Sequence, residues 1–449
     1  MRLNPHLFEV NSFRLLQRLA GTASGPLTLS MIAEKEWKNL RDSGMDILWL
    51  MGVWKRSPGA RQKALNDPGL RTAYDQALPG WTEKDVAGSP YAVHEYTLDP
   101  FLGGEGMLAE LKERLNRLGL KLMLDFVPNH LALDHPWTFS HPEYFIGCSE
   151  PAKLEHPDWF FEAKPGIFLA HGRDPYFSPW SDTVQINYFS EAAREAMTGE
   201  LEKIAGVCDG VRCDMAMLPM SDIFSKVWSP VTGLSKPEKE FWPESIKRIR
   251  GKRPEFIFMA EAYWNTEWQL QQMGFDFTYD KTLYDRLHHA EPKEIREHLL
   301  AEGEYQSRSA RFIENHDEKR AFEAFGLQRS LAAATVSATV PGLRFFYDGQ
   351  QEGRKIQTPV QLIRERQEEA RPEVRNFYDR LLKLIDKPVF HEGRWQLLEV
   401  PSPNLLAWSW ESGQSRTLII VNYSSTCFRG NAGGVPVDLE PWGIHIIDK

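Results

Sequence analysis

The chain has 449 residues and a formal net charge of −9, with 42% hydrophobic and 26% charged residues. That balance is typical of an ordinary folded protein long enough for more than one domain, and no surplus of cations is present to neutralise a phosphate backbone, so a nucleic-acid partner is not expected. No apolar run approaches the ~18 residues of a membrane span. The opening Met1-Arg2-Leu3-Asn4-Pro5-His6 carries no apolar leader core, which makes a cytoplasmic location the expectation. The cysteines Cys148, Cys208, Cys213 and Cys427 form no C-x-x-C pair; they are expected to be small buried thiols, with no structural zinc. The 15 Trp, 13 Tyr and 25 Phe are expected mostly in the core, some left to stack on flat apolar ligand faces.

In chain order, Phe8 to Phe13 reads as a first strand. Ser30 to Ser43 reads as a helix with Ile32, Ala33, Trp37 and Leu40 on one face and Gly44 after it. Asp46-Ile47-Leu48-Trp49-Leu50-Met51 is nearly continuous in apolar residues, as a strand covered on both faces requires. Pro58 to Gly88, rich in Pro, Gly and polar residues, reads as a long surface loop. Glu105 to Leu118 has helical spacing, and Gly119 separates it from a strand over Leu120 to Val127.

A helix from Glu191 to Ala205, stopped at Gly206, leads into an apolar strand from Val207 to Val211. Further strands are expected at Phe256 to Glu261, Phe275 to Phe277, Arg311 to Glu314 and Leu343 to Tyr347. Eight strands alternating with helices imply a parallel sheet covered by helices, either an open doubly wound sheet or a closed barrel. The strand count and the polar residues clustered after the strands favour an α/β fold of the (β/α)8 TIM-barrel type over residues 1–134 and 190–386.

Residues 135–189 break the pattern and read as an inserted loop-rich subdomain after the third strand. Over residues 387–449 the helical period is lost. Leu405 to Trp410 and Thr417 to Val421, on either side of a turn at Glu411 to Ser415, predict a hairpin within a C-terminal antiparallel, β-sandwich-like domain.

Polar groups follow four of the strands. Asp125, Asn129 and His130 follow the third, Arg212 and Asp214 the fourth, Glu261 the fifth, and Asn315-His316-Asp317 the seventh. Residues two apart on a strand share a face, so Arg212 and Asp214 point the same way. In a closed barrel these sets converge on the carboxyl-terminal mouth, where barrel enzymes carry their chemistry. Three carboxylates, Asp214, Glu261 and Asp317, with Arg212, His130, His316 and Asp125 around them, suit glycoside hydrolysis. One carboxylate attacks or stabilises the reacting carbon, and another, kept protonated, serves the leaving oxygen. Arg212 would hold Asp214 ionised, and the apolar approach Phe258-Met259-Ala260 would raise the pKa of Glu261.

These motifs resemble those of the α-amylase superfamily of glycoside hydrolases. Asp125-Phe-Val-Pro-Asn129-His130, Gly210-Val-Arg212-Cys-Asp214, Ala260-Glu261 and Asn315-His316-Asp317 stand in the order of that family's four motifs, and the similarity spans roughly residues 8 to 385. The resemblance implies Asp214 as nucleophile, Glu261 as acid/base and Asp317 as transition-state stabiliser. It also implies a glucosyl subsite lined by Arg212, His130, His316 and Asp125, with Tyr91 stacked beneath the sugar. Gln185-Ile-Asn187-Tyr188 resembles the short motif near the end of the family's inserted domain. No cofactor or catalytic metal is implied. Asn129 stands where many members have a structural calcium ligand; the other reading is an Asn that holds loop backbone.

Where starch-degrading members carry Lys-His after the nucleophile, this chain has Met217-Leu218, implying a less polar acceptor side. The stretches Asn129-His130 to Trp137 and Asn315 to Arg320 resemble the oligosaccharide-acting branch instead. The expected activity is a retaining α-glycosidase on α-linked gluco-oligosaccharides or polysaccharides. A glucanotransferase or trehalose-forming isomerase using the same residues is the alternative. A non-catalytic carbohydrate-binding barrel is a third reading, and it predicts loss of a carboxylate. Substrate length, linkage and oligomeric state are not readable at this level.

Overall fold

A computed structural model describes residues 1–20, 27–289 and 291–448. Eight parallel strands close into a barrel: β1 (His6–Asn11), β2 (Ile47–Met51), β3 (Lys121–Phe126), β4 (Gly210–Cys213), β5 (Ile257–Ala260), β6 (Phe277–Tyr279), β7 (Ser309–Arg311) and β8 (Leu343–Tyr347). Each strand pairs with the next in sequence, and β8 returns to β1 with Phe8 opposite Phe346.

The apolar run of β2 shows why such strands lack alternation. Ile47, Trp49 and Met51 fill the lumen with Leu7, Met123, Met259, Tyr279 and Phe345, while Leu48 and Leu50 face outward against the helices. Both faces are dry, so every position is apolar.

Several local expectations are corrected. The first strand stops at Asn11, whose side-chain oxygen accepts the N–H groups of Phe13 and Arg14 and so starts a helix over Ser12–Ala20. The helix expected from Ser30 to Ser43 is shorter, Glu34–Asp42, behind a 3-10 turn at Leu29–Met31. The helix Glu191–Val207 runs through Gly206 rather than ending there, and β4 begins only at Gly210. In the sixth and seventh strands the paired residues are displaced, to Phe277–Tyr279 and Ser309–Arg311.

The segment from Pro58 is not a loop. It forms two helices, Pro58–Asn66 and Pro68–Ala77. Ser57 and Asp67 each cap the following helix with a side-chain oxygen, and both prolines occupy the first helical position, where no N–H is needed. Ala64, Leu65, Tyr74 and Leu78 pack there against Val86 and Leu362.

The insertion between β3 and β4 holds more sheet than expected. Its two ends run side by side as antiparallel strands, His130–Ala132 and Thr183–Gln185. Between them Gly147–Cys148, Phe160–Lys164 and Ile167–Ala170 form a three-stranded sheet. The expected hairpin is present in the C-terminal region, made by β10 and β11. Its strands are β9 (Arg394–Leu397), β10 (Leu405–Ser412), β11 (Ser415–Asn422), β12 (Phe428–Ala432), β13 (Val435–Leu439) and β14 (Ile444–Asp448). They form an antiparallel sheet in the order β9-β10-β11-β14 and a β12-β13 hairpin.

One face of this sheet (Leu406, Trp408, Trp410, Ile419, Val421) joins the core of the barrel layer, and the other (Leu405, Ala407, Leu418, Ile420) is covered by Ala432, Val437 and Leu439. Trp410 Nε1 donates to Thr339 O at 2.6 Å and Tyr423 OH to Leu287 O at 2.7 Å, pinning the sheet to the barrel helices. All four cysteines are free. Cys208 and Cys213 are buried, whereas Cys148 is half-buried and Cys427 exposed, against the expectation for those two.

Gly210 sets how closely β4 and β5 approach: a Cβ there would lie 2.7 Å from Ile257 Cβ and 2.8 Å from its carbonyl oxygen. Gly210→Ala should therefore destabilise the protein by about 1–3 kcal/mol in urea unfolding, as overpacking does. Gly199→Ala, in a helix with open space around it, should stabilise by about 0.5–1 kcal/mol. Equal effects would show that the close approach does not matter.

Candidate active site

The site is built around Arg212. It lies in β4 level with Asp125 of β3 and Met259 of β5, and its side chain is wholly buried. The rings of Trp49, Tyr91 and Tyr279 surround its guanidinium at 5.2 to 5.7 Å. Such a cation survives burial only if it is well partnered. Nη1 meets Asp214 Oδ1 at 2.6 Å, and Nη2 pairs with Glu261 Oε1 at 2.9 Å. Asp125 stands further off, at 3.9 Å. Burial opposes the charge on Arg212, but Glu261 and the other neighbours outweigh it and hold its pKa well above the ordinary value.

Glu261, directly after β5, accepts the backbone N–H of Met215 on Oε2 at 2.7 Å and the Tyr263 hydroxyl on Oε1 at 2.9 Å. Met215 reaches it because its backbone adopts a left-handed conformation (φ 43°), which for a non-glycine residue costs on the order of 1 kcal/mol or more. Trp264 and Asn265 share that conformation just beyond Glu261. Burial raises the Glu261 carboxyl to about 7 against the pull of Arg212, and Asp214 adds to the rise. Asp125 is likewise pushed up by burial, to about 6. Its Oδ2 accepts the Gly52 N–H at 2.9 Å, so it braces the turn after β2 as well as facing Arg212.

Asp317 is the most open of the three carboxylates: 45% of its side-chain surface is exposed, against 9% for Asp214 and 4% for Glu261. Its Oδ2 lies 2.9 Å from His316 Nε2. Desolvation pushes this carboxyl up, but the His316 ring and Arg212 more than offset that and leave it below its ordinary range. His316 Nε2 also meets the Tyr91 hydroxyl at 2.7 Å, and the two rings stack at 5.4 Å. His316 Nδ1 meets Glu9 of β1 at 2.5 Å.

His130 is buried beside the Trp180 ring at 5.0 Å, and burial lowers its pKa. Gly172 allows this packing, since a Cβ there would lie 2.8 Å from His130 Cβ. The structure thus gathers Asp214, Glu261, Arg212 and Asp125 into one ion cluster. Asp317, His316 and Tyr91 form a second, linked to the first through the Tyr91 ring. His130 stands at the wall of the insertion.

Sequence reasoning missed Glu9, Tyr263 and Tyr279, whose hydroxyl accepts from Arg212 Nε at 3.3 Å. The available signal for Glu9 was a lone acid in a strand, on the same face as Leu7. Met217 and Leu218 are buried, Met217 within the core beside Ala216, whose carbonyl accepts from Trp242 Nε1.

The residues around Asn129 do not fit a cation. Its carbonyl, its Oδ1 and the Ile186 carbonyl all accept from one amide nitrogen, Gln185 Nε2, at 2.8, 3.0 and 3.1 Å. The oxygens that would ligate an ion instead converge on an N–H donor. A cavity of about 980 Å³ lies at the opposite mouth, lined by Arg2, Lys121, Phe256, Arg308 and Trp395, and no candidate residue reaches it.

The family model for the alpha amylase catalytic domain matches residues 32–197. Alpha-amylase 3 of Dictyoglomus thermophilum is 24% identical over 298 residues, covering 60% of this chain and 54% of that protein. An alpha-1,4-glucan:maltose-1-phosphate maltosyltransferase of Bifidobacterium animalis is 27% identical over 185 residues, covering 40% and 21%. The chain thus spans about half or less of the length of these curated relatives. The crystal structure of a noncanonic maltogenic alpha-amylase from Thermotoga neapolitana shares the fold with a TM-score of 0.66 at 19% identity, covering 99% of this chain and 96% of that one. With four motifs in order, their residues gathered at the carboxyl-terminal mouth of a closed barrel, and residues 32–197 matching the catalytic-domain model, the chain is similar to the α-amylase superfamily and shares its barrel fold.

Proposed function

We propose that the protein is a retaining α-glycosidase that cleaves α-glucosidic bonds in oligosaccharides or glucans through a covalent glycosyl-enzyme intermediate. The observation that carries this reading is the single guanidinium shared by Asp214 and Glu261. Oxygens bridged in this way lie no more than roughly 8 Å apart, close enough for both carboxyl groups to reach one glycosidic bond; retention rests on the resemblance of the four motifs.

The two carboxyls differ in the way their roles require. Asp214 is paired to Arg212 at 2.6 Å and serves as the nucleophile. Glu261 is kept near neutrality by burial, so it can give a proton to the leaving oxygen and later take one from the incoming water. Asp317, open to the cleft, faces the sugar hydroxyls as charge develops on the ring. Tyr91, beside Arg212 and His316, supplies a flat apolar surface beneath it.

A transferase on the same residues is the second reading, favoured by the maltosyltransferases among the relatives. The two share the intermediate and differ in whether water or a sugar resolves it. Maltose or maltotriose, with products resolved over time, separates them: hydrolysis gives only shorter sugars, whereas transfer gives longer or rearranged products, with glucose released as the leaving group in either case.

Asp214→Asn should lower kcat by on the order of 10⁴-fold or more while far-UV circular dichroism stays native. The first product should appear as the α-anomer in proton NMR. Retained turnover, or initial β-anomer, refutes the mechanism.

The alkaline limb of kcat/KM should fall with a midpoint near 7, because Glu261 must hold its proton to act, and pH above its folded pKa removes it. Glu261→Gln should abolish that limb, losing glucoside cleavage while still reacting with a glycosyl fluoride, whose leaving group needs no proton. An unchanged limb in the variant would assign it elsewhere.

Gln185 should do the work that a calcium ion does in other members. Chelator should leave the unfolding temperature unchanged, whereas Gln185→Ala, which takes the donor from Asn129 Oδ1 and the Ile186 carbonyl while the Asn129 carbonyl keeps the Ile186 N–H, should cost about 1–3 kcal/mol. A lower melting temperature in chelator would contradict this.

A further inference from the structure

In β1, Leu7 and Glu9 point into the lumen and Val10 points out. Glu9 is wholly buried, and its Oε2 has no hydrogen-bond partner among the described residues. A carboxylate in such a place costs several kcal/mol unless a cation answers it. The group in contact is His316, with Nδ1 at 2.5 Å from Glu9 Oε1.

The other ring nitrogen, Nε2, lies 2.9 Å from Asp317 Oδ2. A neutral imidazole has one N–H and one lone pair, so between two carboxylates one nitrogen would turn its lone pair on an anion. Only the doubly protonated ring is attractive to both. The Tyr91 hydroxyl at 2.7 Å then accepts from Nε2–H alongside Asp317.

Trp49 edge-on at 5.6 Å and Tyr91 stacked at 5.4 Å fix the plane of the ring. The charged and titratable groups facing it are Glu9 from β1, Asp317 from its own loop, Asp125 at the end of β3, and Tyr91, with Arg212 behind the Tyr91 ring. Burial works against a charge on His316, but Asp317 and Glu9 outweigh it and hold the ring well above its ordinary range.

We propose that Glu9 is a positioning residue that keeps His316 as an imidazolium, whose Nε2–H holds the Asp317 carboxylate in place at the mouth of the barrel. This rests on Asp317 facing the reacting sugar, as read above. Glu9 touches no substrate and acts through two linked contacts.

The ¹⁵N signals of the His316 ring, assigned by their absence in His316→Asn, report its protonation without substrate. In the native protein the ring should be doubly protonated at pH 7.5. In Glu9→Gln, which keeps the shape and removes the charge, it should lose its proton at a pH lower by at least about one unit. kcat should fall at least about tenfold with KM changed less than about threefold.

A neutral His316 ring in the native protein at pH 7.5, with Tyr91 as donor to Nε2, overturns the proposal before any variant is made. It is equally overturned if Glu9→Gln leaves the titration or kcat unchanged. If the native protein turns over no α-glucoside but the ring titration moves as stated, the glycosidase reading fails alone and the control of His316 by Glu9 stands.

Discussion

Everything at the carboxyl-terminal mouth depends on one cation placed where water cannot reach it. Arg212 is wholly buried in the barrel interior, enclosed by Trp49, Tyr91 and Tyr279. Three carboxyl groups surround it, and one positive charge cannot neutralise three negative ones. Burial of the surplus acids works against their charge. Glu261 and Asp125, the pair more deeply buried than Asp214, are raised to about 7 and about 6. Burial, opposed by Arg212, thus moves two carboxyls towards the range in which a carboxylic acid can hold or release a proton near neutral pH.

The second ion set obeys the same rule with the signs rearranged. There a histidine stands between two carboxylates, one sealed in the lumen and one open to the cleft. The Tyr91 ring touches both sets, packed on the Arg212 guanidinium and hydrogen-bonded through its hydroxyl to His316. The apolar lumen beneath, with Trp49 and Phe345, keeps water from Arg212 and Glu9, so the contacts on that side are made in a medium of low dielectric.

The barrel was legible because strands covered on both faces read as apolar runs, and Asp46 to Met51 is such a run. The site was legible because charged residues directly after those runs have few structural explanations, and the four sets identified are brought together. What escaped had physical reasons. Pro58 and Pro68 read as loop residues although each opens a helix, since a proline at the first turn sacrifices no hydrogen bond. Glu9 escaped because a single acid between Phe8 and Val10 looks like an outward-facing strand position. Its inward direction is set by register with Trp49 and Tyr347 on the neighbouring strands.

The paired strands at the two ends of the insertion carry a consequence for how this architecture changes over time. His130 faces Gln185, and Leu131 and Ala132 face Val184 and Thr183, so the segment leaves and re-enters the barrel through one clasp. Whatever lies beyond the clasp is topologically a closed loop whose ends stay in contact. Lengthening such a loop carries only a slowly growing entropic cost. Evolution can therefore swap or resize the subdomain as a cassette, redrawing the rim of the cleft while the ring of strands beneath, and the acids it holds, keep their places.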